Sequence, residues 1–238
     1  MEWTYDNYKI WTNLDYPINE NVISLNISQC HITNLEYINN LPNLVFLDCS
    51  NNQIEQIEHL FLPKLEELNC SNNQIKQIQN ICCFTIQILN CSNNQIEQIE
   101  GLNILLLEYL NCSNNQIKQI HKLHLPLLRV VNCSKNQIKY MMKGFGLRIL
   151  DYSYNQIEQI EHLNLRNLEY LNCSNNLITH MFGVVLPKLK VLKCDTNSLV
   201  VIKDLHLPNL KSLSCYYNPL NYTLDDFVSA NNDFKIIK

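Results

Sequence analysis

The chain has 238 residues, of which 46% are apolar and 17% charged, and a formal net charge of −4. This is enough apolar surface for a buried core, and so small and dispersed a charge offers nothing to hold a polyanion, which argues against nucleic acid as a partner. With 4 Gly and 7 Pro the chain is not of low complexity. No apolar run approaches the roughly 20 residues of a membrane helix. The opening Met1-Glu2-Trp3-Thr4-Tyr5-Asp6 lacks the basic and apolar regions of a secretion signal, so a soluble protein acting inside a cell, most simply in the cytoplasm, is expected, with no membrane partner.

In chain order, residues 1–21 read as an N-terminal cap. Trp3, Tyr5, Tyr8, Ile10 and Trp11 supply apolar bulk to cover a first repeat, with Leu14 to Ile18 leading in. From residue 22 to 220 the sequence repeats itself. Leu47-Asp48-Cys49-Ser50-Asn51-Asn52-Gln53-Ile54 returns as Leu68-Asn69-Cys70-Ser71-Asn72-Asn73-Gln74-Ile75, and again from Leu89 and Leu110. The anchoring position falls on Cys30, Asn52, Asn73, Asn94, Asn115, Asn136, Asn155, Asn176, Asn197 and Asn218. The spacing is 22, then 21 four times, then 19, then 21 three times, giving about ten units.

Each position in the unit has a physical role. In Leu65-Glu66-Glu67-Leu68-Asn69-Cys70-Ser71 the apolar Leu68 and Cys70 alternate with Glu67, Asn69 and Ser71, the period of a short strand with one buried face. The anchoring Asn can both donate and accept, so a column of them satisfies backbone groups freed where the chain turns. Two isoleucines, Ile75 and Ile78, then re-enter the core. The return segment is too short for a regular helix, and Pro63, Pro126, Pro187 and Pro208 stand just before the next strand, where a missing N–H costs little. Extended or 3-10 turns are expected there. One repeat cannot bury its own apolar face, so stacking must make the core continuous. The expected fold is an α/β solenoid: a horseshoe with a concave parallel sheet of about ten short strands. Residues 221–238 read as a C-terminal cap, with Thr223 opening a short helix through Asp225, Asp226, Phe227 and Val228, and with Phe227 and Phe234 covering the last coil.

The unit L-x-x-L-x-C-S-x-N-x-I-x-x-I-x-x-L resembles the leucine-rich repeat, with Cys at its third apolar position. Its S-x-N-x-I-x-x-I-x-x-L core is similar to the short repeats of the protein-phosphatase-regulator type. The near-verbatim N-C-S-N-N-Q-I wording is similar to leucine-rich-repeat proteins of giant DNA viruses of amoebae, which would place the chain in a host cytoplasm or a virion. The resemblance implies a protein-binding scaffold.

Of the 11 cysteines, Cys49, Cys70, Cys91, Cys112, Cys133, Cys173, Cys194 and Cys215 recur at one point of the repeat. A core position explains such periodicity; a disulfide framework does not, so reduced thiols in a reducing compartment are expected. Glycosylation sequons at Asn26, Asn69, Asn90, Asn111, Asn132 and Asn172 fall on the strands, where glycans would crowd neighbours about 4.8 Å apart.

Function is sought on the concave face. The residue opening each strand forms the column Ser24, Phe46, Glu67, Ile88, Tyr109, Val130, Ile149, Tyr170, Val191, Ser212. Beside this stripe run an Asn column, expected to be structural through stacked amides, and a Ser column. Aromatic and branched residues in a row mark an interaction surface, although they also stabilise parallel strands by cross-strand contact. The seventh repeat departs from the pattern, with Lys143-Gly144-Phe145-Gly146 in a shortened return, Tyr152 in the Cys column and Tyr154 just before the anchoring Asn. Candidate protein-binding residues are Phe46, Tyr109, Tyr154, Tyr170, Lys193 and Tyr217. The column Glu55, Lys76, Glu97, Lys118, Lys139, Glu158 reads as a ladder of surface ion pairs, each worth about 0–1 kcal/mol.

Catalytic chemistry finds no support. The sequence has no nucleophile elbow, phosphate loop, dinucleotide fingerprint or H-E-x-x-H. His59, His121, His162 and His206 fall on return segments as solvated side chains, and the vicinal Cys82-Cys83 reads as core filling, since a zinc site needs a second pair. The sequence therefore points to a non-enzymatic scaffold that needs no cofactor, metal or catalytic residue and binds a protein partner it does not identify. The alternative is a structural or packing protein with no dedicated ligand.

Overall fold

A computed structural model describes residues 2–14, 17–79, 81–99, 102, 104–120, 125–142, 146–220 and 235–237. The chain divides into two compact units: Met1–Ile117 with Leu123–Leu128, and Lys118–Lys122 with Arg129–Lys238.

The first unit opens with β1 (Glu2–Trp3) and α1 (Tyr5–Thr12), followed by the repeat strands β2 (Ser24–Asn26), β3 (Phe46–Asp48), β5 (Glu67–Asn69), β7 (Ile88–Asn90) and β8 (Tyr109–Asn111). These form a parallel sheet in the order β1-β2-β3-β5-β7-β8. Register is set by the repeat itself: Leu47 faces Leu68 and Leu68 faces Leu89, so like side chains stack on like. Two return-side strands, β4 (Gln56–Glu58) and β6 (Gln77–Gln79), pair in parallel on the opposite side of the coil. The second unit repeats this plan with β9 (Val130–Asn132), β10 (Ile149–Asp151), β12 (Tyr170–Asn172), β14 (Val191–Lys193), β16 (Ser212–Ser214) and the terminal β17 (Lys235–Ile237). Its return sheet holds β11 (Gln159–Glu161), β13 (His180–Phe182) and β15 (Val201–Lys203). Return segments are thus mostly extended, with one described 3-10 turn at Ile38–Asn40.

The core of each coil is the expected apolar set. In one rung Leu65, Leu68, Cys70, Ile75 and Ile78 are all buried. Burying a Leu or Ile side chain is worth about 1.5–3 kcal/mol, and every rung contributes several. The anchoring Asn closes each coil. Asn73 donates from Nδ2 to the carbonyls of Cys49, Cys70 and Ser71 at 3.0–3.2 Å, and its Oδ1 accepts from the N–H of Ile54 at 3.0 Å. Asn176 makes the same bonds in the second unit, to the carbonyls of Tyr152, Cys173 and Ser174 and from the N–H of Ile157. Such an Asn bonds to the previous rung as well as to its own turn, which locks neighbouring coils in register. Among the described residues no buried side-chain nitrogen or oxygen lacks a hydrogen-bond partner.

Two expectations about the ends and the core are corrected, and two terminal strands are added. In α1, Tyr8 and Trp11 are buried with ring centroids 5.7 Å apart, and Trp11 Nε1 donates to the Pro17 carbonyl at 2.9 Å. Ile10 lies on the outer helix face and is 62% exposed, and Leu14 and Ile18 are exposed too, so among the described side chains of the cap the buried apolar ones are Tyr8 and Trp11. β1 and β17 add terminal edge strands that no repeat pattern signals; β17 pairs Leu213 with Ile236. The expected helix near Thr223, with Asp225, Asp226, Phe227, Val228 and Phe234, lies outside the described residues, as do the side chain of Trp3 and the position of His121. Finally, Cys83 is buried but its neighbour Cys82 is exposed, so only one of the vicinal pair fills the core.

Candidate functional site

Five positions of each rung lie on its sheet side: the residue before the strand, its first and third residues, and the two residues before the anchoring Asn, of which the first is buried where it is Ser50, Ser71, Ser92, Ser153 or Ser174. The third strand residue is wired into its own turn. Asn69 Oδ1 accepts from the backbone N–H of Ser71 at 3.3 Å and from its hydroxyl at 2.8 Å, and Asn90, Asn111 and Asn132 do likewise. The Asn column is therefore structural, but its amides bond locally to the Ser column where stacked amide pairs were expected. One bond between rungs of this column runs from Asn172 Nδ2 to Asp151 Oδ2 at 3.1 Å.

The residue just before the anchoring Asn has a left-handed backbone, with φ between 52° and 57° at Asn51, Asn72, Asn93, Asn114, Lys135, Tyr154, Asn175, Thr196 and Tyr217. Asn tolerates this region; a bulky or β-branched residue is strained in it. In the first unit the repeats from Asn51 to Asn114 all use Asn. In the second, Lys135, Tyr154, Thr196 and Tyr217 accept the strain, and their side chains are exposed.

The candidate residues fall as follows. Phe46 and Tyr109 open β3 and β8 in the first unit and are half-buried against their strands. Tyr170 and Lys193 lie on the adjacent strands β12 and β14, with the Lys193 ammonium 5.7 Å from the Tyr170 ring centroid. Tyr154 is 54% exposed, with the Lys135 ammonium 5.9 Å from its ring. Tyr217 is 85% exposed and lies 6.4 Å from Tyr216. Tyr152, by contrast, does not reach this face: it is fully buried in the Cys column, and its hydroxyl accepts from the Met142 N–H at 2.8 Å. Tyr152 stands in the repeat whose return segment is two residues short by sequence; of that segment, Lys143 to Phe145 lie outside the described residues.

Charge is organised on the same face. Glu169 receives Lys190 Nζ on one oxygen at 2.5 Å and Arg148 Nε and Nη2 on the other at 2.9 and 2.7 Å; these bonds, that of Lys190 foremost, hold its carboxyl down to about 2. The expected ion-pair ladder of Glu55, Lys76, Glu97, Lys118, Lys139 and Glu158 does not form: these side chains are exposed, and none pairs with another. Rungs there are joined through the backbone instead, as where the Lys76 N–H donates to the Glu55 carbonyl at 3.1 Å.

The cysteine column is buried, and its thiols donate to the next rung, Cys173 to the Lys193 carbonyl and Cys194 to that of Ser214, both at 3.2 Å. Burial pushes the thiols of Cys49, Cys112 and Cys173 up to about 12 and that of Cys83 up to about 11. A nucleophilic cysteine needs the opposite shift. Among the described residues no group of three His, Cys, Asp or Glu side chains is placed to hold a metal ion, and no helix is long and apolar enough to cross a membrane. A recess of about 530 Å3 opens beside the shortened repeat, lined by Lys139, Tyr140, Met141, Glu158, Ile160 and Glu161 among others, with no Ser, Cys or His in its walls.

Two surface features escaped sequence reasoning. On the return side of the second unit His162 packs edge-on against Phe182 at 5.0 Å, and Lys203 lies 5.7 Å from the same ring. Gly183 permits this arrangement: its φ is +62°, and a Cβ there would come 2.8 Å from His162 Nδ1. In the first unit Phe84, Leu105, Leu106 and Leu127 are exposed on the turns that precede successive strands. Both become visible only when residues are aligned by rung.

The family described as Leucine Rich repeats (2 copies) matches residues 20–62 and 49–83, well under half of the chain. No curated protein matches in sequence. Among solved structures, the functional domain of InlJ from Listeria monocytogenes, described as including a cysteine ladder, is 24% identical with a TM-score of 0.64, over 90% of this chain and 53% of that one. A leucine-rich-repeat protein of Leptospira interrogans is 21% identical with a TM-score of 0.66, over 91% of this chain and 64% of that one. The leucine-rich-repeat domain of APL1 is 23% identical with a TM-score of 0.66, over 84% and 62%. The chain spans less than two thirds of the length of each, and these likenesses establish the fold.

Proposed function

We propose that this leucine-rich-repeat protein is a non-enzymatic scaffold that binds a protein partner on the sheet face of its second unit, through Tyr154, Tyr170, Lys193 and Tyr217; Tyr109, which opens a strand of the first unit as Tyr170 does in the second, serves as the comparison position. The observation that carries the reading is the pairing of exposed cations with tyrosines of this face, Lys193 with the half-buried Tyr170 and Lys135 with the exposed Tyr154. Exposed Tyr beside a cation is the composition of binding hot spots, and a Lys ammonium over an aromatic face is worth about 0.5–1 kcal/mol at an exposed site. That Tyr154 and Tyr217 occupy a backbone region Asn would occupy at lower cost supports a role outside folding. The leucine-rich-repeat fold commonly serves protein interaction, and the raised thiols oppose covalent catalysis. On the repeat wording we place the chain with short phosphatase-regulator-type repeats and with those of giant amoebal viruses. We place it inside a cell, where the thiols of the ladder stay reduced.

The test is affinity capture with the intact chain. The Tyr170→Ser and Tyr109→Ser variants should fold normally by circular dichroism, and Tyr170→Ser should lose a defined partner that the parent captures. Full retention of every captured protein by both variants would remove this face as the site and favour a packing role.

A further inference from the structure

The two units carry opposite charge on their outward sheet positions. From β2 to β8 the charged residues are Asp48, Glu66, Glu67 and Glu108, with no Lys or Arg among them. From β9 to β16 the cations are Arg129, Lys135, Arg148, Lys190, Lys193 and Lys211, against Asp151, Glu169 and Asp195. Those three carboxylates are already engaged. Asp151 accepts from the Ser153 N–H and hydroxyl and from Asn172; Asp195 accepts from the Ser214 hydroxyl and the Tyr216 N–H; and Glu169 is held between Arg148 and Lys190. Lys135 and Lys193 lie over aromatic rings, and Lys211 makes no ion pair among the described residues. Positive charge on this face therefore exceeds what its own carboxylates neutralise.

We infer that the second unit's sheet face accepts an acidic, extended polypeptide segment of a partner protein, a deepening that rests on the scaffold reading above. Strand spacing supports the match in scale. The four intervals from β9 to β16 span about 19 Å at ~4.8 Å each, the reach of about six extended residues. Lys193 and Lys211, on neighbouring rungs and three residues apart along the strand, would meet carboxylates about three residues apart in such a segment. Tyr170 and Tyr154 would flank its apolar side chains. A long uniform polyanion fits less well, because the protein carries a net charge of −4 and this face is itself interrupted by carboxylates.

The test is fluorescence anisotropy of the intact chain with a labelled peptide of about eight residues alternating Glu and Ser around a central Phe, long enough to cover the span above with a residue to spare at each end. Its comparators are the same peptide with Gln for Glu and an oligodeoxyadenylate of equal length. The Glu peptide should bind, and its affinity should fall about tenfold or more as salt rises from about 50 to 300 mM. Lys193→Glu and Lys211→Glu should each weaken it at least about fivefold, and Glu67→Lys in the first unit should change it by less than about twofold. Circular dichroism of each variant shows whether it folds, and Lys193→Gln gives a milder second measure at the same position. Equal binding of the Gln peptide, equal or tighter binding of the oligonucleotide, or charge reversals without effect would each overturn the inference. So would salt-dependent self-association of the unliganded chain in sedimentation, which would make a second copy the occupant. A negative titration alongside successful capture by the Tyr170-dependent face would reject the acidic class alone; failure of capture alongside a positive titration would reject the partner reading and retain the charge chemistry.

Discussion

The first unit and the second share a frame and differ in what they add to it. Both stack Leu, Cys and Ile in the core and close each coil with an Asn bonded across two rungs. The first keeps Asn just before each anchoring Asn from Asn51 to Asn114 and Ser at every hydroxyl position of β2 to β8. The second puts Lys135, Tyr154, Thr196 and Tyr217 at the same turn and replaces Ser by Asp195 and Tyr216. The contrast separates positions that make the coil from positions the coil merely tolerates. A residue that recurs in both units, such as the anchoring Asn, answers to folding; one that varies at a cost in backbone strain answers to something else.

One of the two largest expected effects probes what the units share. Asn73→Ala and Asn176→Ala should each destabilise by about 2–4 kcal/mol, because each strands several buried backbone groups at once. Urea unfolding should register similar losses in the two units, and a loss confined to one would break the claim of a common frame. Next comes the place where the frame itself differs. Tyr152→Ala should cost about 3–5 kcal/mol through the cavity it leaves, and Tyr152→Phe about 1–2 kcal/mol through the Met142 N–H it orphans. Equal stability of Tyr152→Phe and the parent would show that the ring alone fills the short repeat.

Smaller changes sharpen the contrast. Tyr154→Asn and Thr196→Asn should each raise stability by about 0.5–1 kcal/mol by relieving the left-handed backbone, and Asn72→Tyr should lower it similarly. Stabilisation together with weaker partner capture in Tyr154→Asn would be the signature of strain retained for binding. The smallest effect concerns Glu169. Its carboxyl is held to about 2, below its unfolded value, so the pairing stabilises the protein above the unfolded carboxylate range and is lost as pH falls toward 2. Because the group is exposed, salt should screen the effect, and Glu169→Gln should flatten the acid limb of a stability–pH curve measured at low salt.

Much of the frame was legible because its signal repeats. Leu68, Cys70, Asn73 and Ile75 are identified by neighbours one period away on either side, and stacking left each only one place to go. The terminal strands β1 and β17 were not legible, since two or three residues paired to a sheet edge carry no periodic mark. Nor was the fate of Tyr152: a Tyr in a Cys column could point either way, and its burial shows in the bond from the Met142 N–H to its hydroxyl. The Asn column showed its place but not its bonds, because an amide that stacks and one that caps a turn look alike in sequence. Of the candidate site, the positions could be read, but the pairing of Lys193 with Tyr170 depends on strand adjacency, and the cost at Tyr154 and Tyr217 depends on a backbone angle that their side chains give no sign of.

The central claim is that the second unit's sheet face reads a partner while the first serves as its frame. Hydrogen–deuterium exchange of the intact chain with and without a captured partner tests it most directly. Binding should slow exchange over residues 149–154, 170–175 and 191–196 and leave β3, β5 and β7 unchanged. Protection centred on β3 to β7, or on the return strands β11, β13 and β15, would contradict it.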